Sequence, residues 1–81
     1  MQKTIHSRMA RAVHKKIVEI RKGAGYTQRE LAKKLGREHS FVARIEQGER
    51  RVDLVELYLI CKACRASPVK AILDLLSKFD S

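Results

Sequence analysis

Apolar residues recur three and four positions apart along almost the whole chain, and nowhere do they alternate over a strand's length. That spacing repeats with the α-helical turn, so the chain reads as all-helical. Punctuation is sparse, with one proline and four glycines, and it divides the pattern into five helices. In the first, Met9, Val13, Ile17 and Ile20 form one stripe that ends at Gly23, Ala24 and Gly25. The second opens at Thr27, which forms a capping box with Glu30, turns Leu31, Ala32 and Leu35 inward, and stops at Gly36. The third runs from about His39 to Gln47 with Phe41, Val42 and Ile45 apolar, and Gly48 ends it. The fourth starts at Asp53, in a capping box with Glu56, and points Leu54, Leu57, Cys61 and Cys64 inward. Ser67 caps the fifth, Pro68 takes its first helical position, and Val69, Ile72, Leu73 and Leu76 supply its expected core stripe.

At 81 residues the chain makes one domain with a modest core, which favours self-association. The 44% hydrophobic content is enough for it to fold despite its charge. The net charge of +9 is uneven: residues 1–26 carry seven Lys or Arg against one acid, residues 27–52 seven against four, and residues 53–81 four against four. Cations gathered at one end suit a polyanionic partner, and the neutral last third is suited to self-association. No apolar run approaches the length of about 18 residues that spans a membrane, and the N-terminus lacks the apolar stretch of a secretory signal, so the expected location is cytoplasmic.

Catalytic and metal chemistry find little footing. Ser7, Ser40, Ser67 and Ser77 lack an adjacent base and orienting acid, and no glycine-rich phosphate loop is present, so the chain is not expected to be an enzyme. Cys61 and Cys64 form a lone C-x-x-C that continues the Leu54 and Leu57 stripe, while His6, His14 and His39 lie far from it in sequence. They are read as core, with no metal, cofactor or small-molecule ligand expected.

The stretches "IVEIRKGAGYTQRELAKKLG", "SFVARIEQGER" and "LVELYLICKACRASP" resemble, in that order, the phage repressor and Cro family, the XRE-type helix-turn-helix proteins. The resemblance covers roughly Ile17 to Leu73. It implies a compact five-helix repressor-like domain with a basic N-terminal extension at about 1–8, a helix-turn-helix at about 27–47 and dimerisation helices at about 53–79. It further implies a homodimer on double-stranded DNA, encoded by a bacterium or phage. His39, Ser40, Ala43 and Arg44 fall at base-reading positions, of which Arg44 suits guanine and Ala43 a thymine methyl. Thr27, Gln28, Arg29, Lys33, Arg37, Arg50 and Arg51 fall where phosphate contacts belong, and Arg21 and Glu46 match a structural ion pair. Glu38 departs from the usual Ser or Thr before the third helix; it can accept from a cytosine or pair with Arg37 or Arg44, and pairing is favoured.

Two features of the residues keep alternatives. The basic first helix is either a solvated face or a further phosphate contact, with Lys3 to Arg11 ordering only on DNA. Val55, Tyr58, Leu59, Leu75 and Phe79 either broaden the core or form the dimer interface, and the second is favoured. The function expected is a small autoregulating repressor on a near-palindromic operator. Restriction-modification controllers, antitoxins and mobile-element regulators share these residues, and the remaining rival is an interaction module that has lost DNA binding.

Overall fold

A computed structural model describes the backbone of residues 2–80 and the side chains of residues 8–80, so the side chains of Lys3, His6 and Ser7 lie outside the described residues. Five helices follow one another: α1 Gln2–Gly23, α2 Gln28–Lys34, α3 Phe41–Glu46, α4 Leu54–Ala63 and α5 Pro68–Phe79. No strand is present among the described residues. The segment read as an N-terminal extension belongs to α1, which is helical from Gln2.

Local chemistry sets the helix starts. The Thr27 hydroxyl accepts from the Glu30 amide at 3.0 Å, and the Glu30 carboxylate accepts from the Thr27 amide at 2.8 Å. Asp53 and Glu56 repeat the arrangement at 2.7 and 3.0 Å, and Ser67 accepts from the Lys70 amide at 3.1 Å. Each cap satisfies amides that a helix leaves unbonded. The third helix starts two residues later than expected. Ser40 makes no side-chain cap, and a turn in which the Phe41 amide donates to the Glu38 carbonyl at 3.0 Å takes the place of its first turn.

Helix ends use one device four times, first after α1, where Gly25 has φ of 79°. After α2, the amides of Gly36 and Arg37 donate back to the carbonyls of Lys33 and Ala32, a closure that needs a left-handed residue, and Gly36 has φ of 69°. Gly48, with φ of 81°, does the same after α3. After α4 the left-handed position falls to Arg65, with φ of 57°, a conformation that costs a side chain about 1 kcal/mol.

The core joins Ile17 of α1, Leu31 and Ala32 of α2, Phe41, Val42 and Ile45 of α3, Leu57, Ile60, Cys61 and Cys64 of α4, and Ala71 and Leu75 of α5. Four expected core residues lie outside it: Leu54, Val69, Leu73 and Leu76 are 48–67% exposed. Two positions expected at a dimer interface are taken by the core instead, Leu75 being buried and Phe79 packing against it. The reason is that α5 has two apolar stripes, Val69–Leu73–Leu76 and Ile72–Leu75–Phe79, and periodicity alone does not say which faces inward. Ala71 lies buried beside Leu75, and a side chain that small lets α5 approach its neighbours closely. Cys61 and Cys64 are free and buried, and burial pushes both thiols up. Lys16 of α1 bonds Asp74 of α5 and pairs with Glu19 at 3.2 Å, tying the first helix to the last.

Candidate nucleic-acid interface

The glycine turn after α2 lets α3 cross it and bury Phe41, Val42 and Ile45. Positions three and four apart then share the opposite face, so Ser40, Ala43, Arg44 and Gln47 look outward together. Arg44 and His39 are exposed, Ser40 and Ala43 half-buried. Arg44 forms no ion pair among the described residues, which leaves its guanidinium fork available. Gln47 was missed in the sequence reading. Its position three residues after Arg44 was the available signal, and its amide is of the kind that reads adenine.

Below that face, Glu46 gathers three donors. Arg21 Nε and Nη2 donate to its two oxygens at 2.8 and 3.0 Å, and Gln28 Nε2 donates at 2.7 Å. Arg21 Nη1 also donates to the Tyr26 carbonyl at 2.9 Å. The Arg21 and Glu46 side chains are only 11% and 6% exposed, and the bond to Glu46 raises the Arg21 pKa further. One carboxylate on α3 therefore fixes the end of α1 and the start of α2. Gln28, expected to face a phosphate, is half-buried and has one amide hydrogen committed to this network. Its other amide hydrogen has no partner among the described residues.

A second carboxylate does the same for two more of the expected phosphate contacts. Glu56, besides closing the α4 cap, accepts from Arg50 Nη1 and Nη2 at 3.0 and 2.8 Å and from Arg37 Nη1 at 3.5 Å. Both guanidiniums lie over the Phe41 ring, at 4.0 Å for Arg37 and 4.8 Å for Arg50. The bond from Arg50 is the main cause of a Glu56 pKa lowered from 4.5 to about 2. Sequence reading assigned Glu56 the cap alone, because nothing local shows that residues 37 and 50 converge on it. Glu38 is exposed, with its carboxylate 4.0 Å from Arg37 Nε.

The other expected contacts are set differently. Arg29 and Lys33 on α2 are exposed and form no ion pair among the described residues. Lys34 lies over the Tyr26 ring at 5.4 Å. Thr27 is committed to its cap, and the exposed Arg51 offers its carbonyl to Arg50 Nη1 at 2.8 Å. Fixed cations surround an outward helix that exposes hydrogen-bonding groups, and no group of three or more His, Cys, Asp or Glu able to hold a metal exists among the described residues.

A short helix held across another by a glycine turn, with its free face ringed by cations, defines a helix-turn-helix DNA-binding domain. Residues 17–70 match the helix-turn-helix family. The chain is also similar to an XRE-family like protein from Pseudomonas syringae pv. tomato str. DC3000, with 38% identity and a TM-score of 0.86 over 94% of this chain and 93% of that one. A comparison with curated proteins gave no match. The chain belongs to the XRE family of helix-turn-helix proteins, and it is a DNA-binding regulator of that family.

Proposed function

We propose that the protein is a homodimeric repressor that reads a near-palindromic operator, including the one controlling its own synthesis, with α3 of each subunit in successive major grooves. The observation that carries this reading is the pairing of two surfaces on one small domain. One is the polar face of α3 with its ring of cations. The other is the exposed apolar surface of α4 and α5, where Val55, Tyr58, Leu59, Leu54, Val69, Leu73 and Leu76 all stand in solvent. Scattered apolar residues are ordinary on a surface, but stripes on two adjacent helices suit a second subunit. Dimers of such domains read half-sites about one helical turn apart.

Arg44 then reads a guanine, His39, Ser40 and Ala43 contact neighbouring bases, and Arg29, Lys33, Arg37, Arg50 and Arg51 hold phosphates. Glu56 fixes the approach of Arg37 and Arg50, so less side-chain freedom is lost on binding. Repression follows from occlusion of polymerase. No helix among the described residues is long and apolar enough to cross a membrane, and a cytoplasmic setting fits a protein that meets DNA.

The test is selection of bound sequences from a random duplex pool at about 150 mM salt, where nonspecific attraction is weakened. An inverted repeat with half-sites one turn apart is the expected product. Enrichment of single half-sites would remove the dimer from the proposal, and enrichment of nothing by folded protein would turn it toward an interaction module.

A further inference from the structure

The solvent face of α1 carries Arg8, Arg11, Lys15 and Lys22, spaced so that a helix places them along one stripe. All four are exposed, and none forms an ion pair among the described residues. The one acid on that stripe, Glu19, pairs with Lys16 at 3.2 Å. The charge of the stripe is thus largely uncompensated.

Its middle lies beside the recognition helix. A Cβ placed on Gly48, just past α3, would sit 3.4 Å from His14 Cε1, so α1 and the end of α3 are in contact there. The groove alongside that contact has a volume of about 580 Å³. Arg11, His14 and Lys15 line one wall, and Glu46, Gln47 and Gly48 the other. Glu46 is the only acid among them, and Arg21 and Gln28 already occupy it. The groove therefore offers two permanent cations, an imidazole and an amide, next to the face that carries Arg44.

We infer that this groove takes the phosphate backbone of DNA that runs past the end of α3, so that α1 adds a second, sequence-independent contact outside the base-reading face. The inference rests on α3 entering DNA. Continuity supports it, because Gln47 belongs both to the outward face of α3 and to the groove wall. Charge supports it too, since phosphate is the ligand that groups of this kind hold without reading sequence.

The experiment compares wild type with Arg11→Gln/Lys15→Gln, two exposed changes whose effect on folding is checked by thermal melting. Affinity is measured against salt on a long random-sequence duplex and on one trimmed to the DNA beneath the recognition helices. A Lys62→Gln/Lys70→Gln variant, on α4 and α5, carries the same loss of net charge. The expected result is at least a tenfold loss of affinity on the long duplex, a smaller loss on the trimmed one, and a salt slope shallower by about 1.8. An unchanged slope in the Arg11/Lys15 variant, with the wild type still binding DNA, would overturn the groove contact and leave the helix-turn-helix reading standing, as would an equal loss in the Lys62/Lys70 variant. Wild-type protein that binds neither duplex at any salt would overturn both.

Discussion

On α2 and α3 the exposed positions include Arg29, Lys33, Lys34 and Arg44, whereas on α4 and α5 they include Leu54, Val55, Tyr58, Leu59, Val69, Leu73 and Leu76. The first surface rests on two carboxylates, Glu46 and Glu56, that hold arginines from other elements in fixed directions. The second rests on ordinary apolar packing around Ile60, Ala71 and Leu75. The difference teaches how one small domain carries two surfaces of different chemistry. Acids hold Arg21, Arg37 and Arg50 in place while Arg29, Lys33 and Arg44 stay unpaired among the described residues, and the apolar surface has no such anchors.

Four experiments would break or sharpen that contrast, and the largest effect belongs to the charged half. Arg21→Ala or Glu46→Ala leaves a partner charge without its mate in a site that excludes water, and the expected loss is about 3–5 kcal/mol in urea unfolding. Retention of full stability by both variants would show that the pair is not the anchor described. In the apolar half, Leu75→Ala is expected to cost about 2–5 kcal/mol of folding stability as a core truncation. Leu76→Ala, one residue on and exposed, should cost under about 1 kcal/mol and show its effect in sedimentation as weaker dimerisation. Equal melting temperatures for the two would erase the distinction between the stripes.

Arg44→Ala should cost about 1–3 kcal/mol on the selected operator and little on random DNA, while Lys33→Ala weakens both and flattens the salt slope by about 1. Equal losses on both duplexes for Arg44→Ala would make it a phosphate contact.

The smallest expected effect is the pH dependence of Glu56. Its pKa in the fold is lowered from 4.5 to about 2, mainly by Arg50, so the stability it contributes is fully present above pH 4.5 and is lost as pH falls toward 2. With solvent screening at its rim, that contribution is about 1–2 kcal/mol. Glu56→Gln should therefore melt earlier than wild type at pH 7, with the gap closing near pH 2. A gap that persists at pH 2 would assign the loss to packing instead of charge.

Legibility followed the range of the interactions involved. The caps at Thr27, Asp53 and Ser67 and the left-handed glycines 36 and 48 act within a few residues, and the sequence displayed each of them in full. The inward residues Phe41, Val42 and Ile45 of α3 were legible from their spacing, whereas the positions assigned to base reading came from the family resemblance, which left out Gln47. By contrast, Glu56 meets Arg37 and Arg50, from the turn before α3 and the loop after it, through tertiary folding alone.

The sequence by itself determined that this chain is helical, where α2, α4 and α5 begin and which glycines end α2 and α3, because capping, glycine conformation and helical periodicity are all local. Which of two apolar stripes on α5 is core, and which acid anchors which arginine, only the tertiary structure decided. A stripe becomes core when a neighbour comes close enough to exclude water from it, as happens around Ala71 and Leu75. A carboxylate becomes an anchor when distant donors converge on it, and neither event is written in the spacing of residues along one helix.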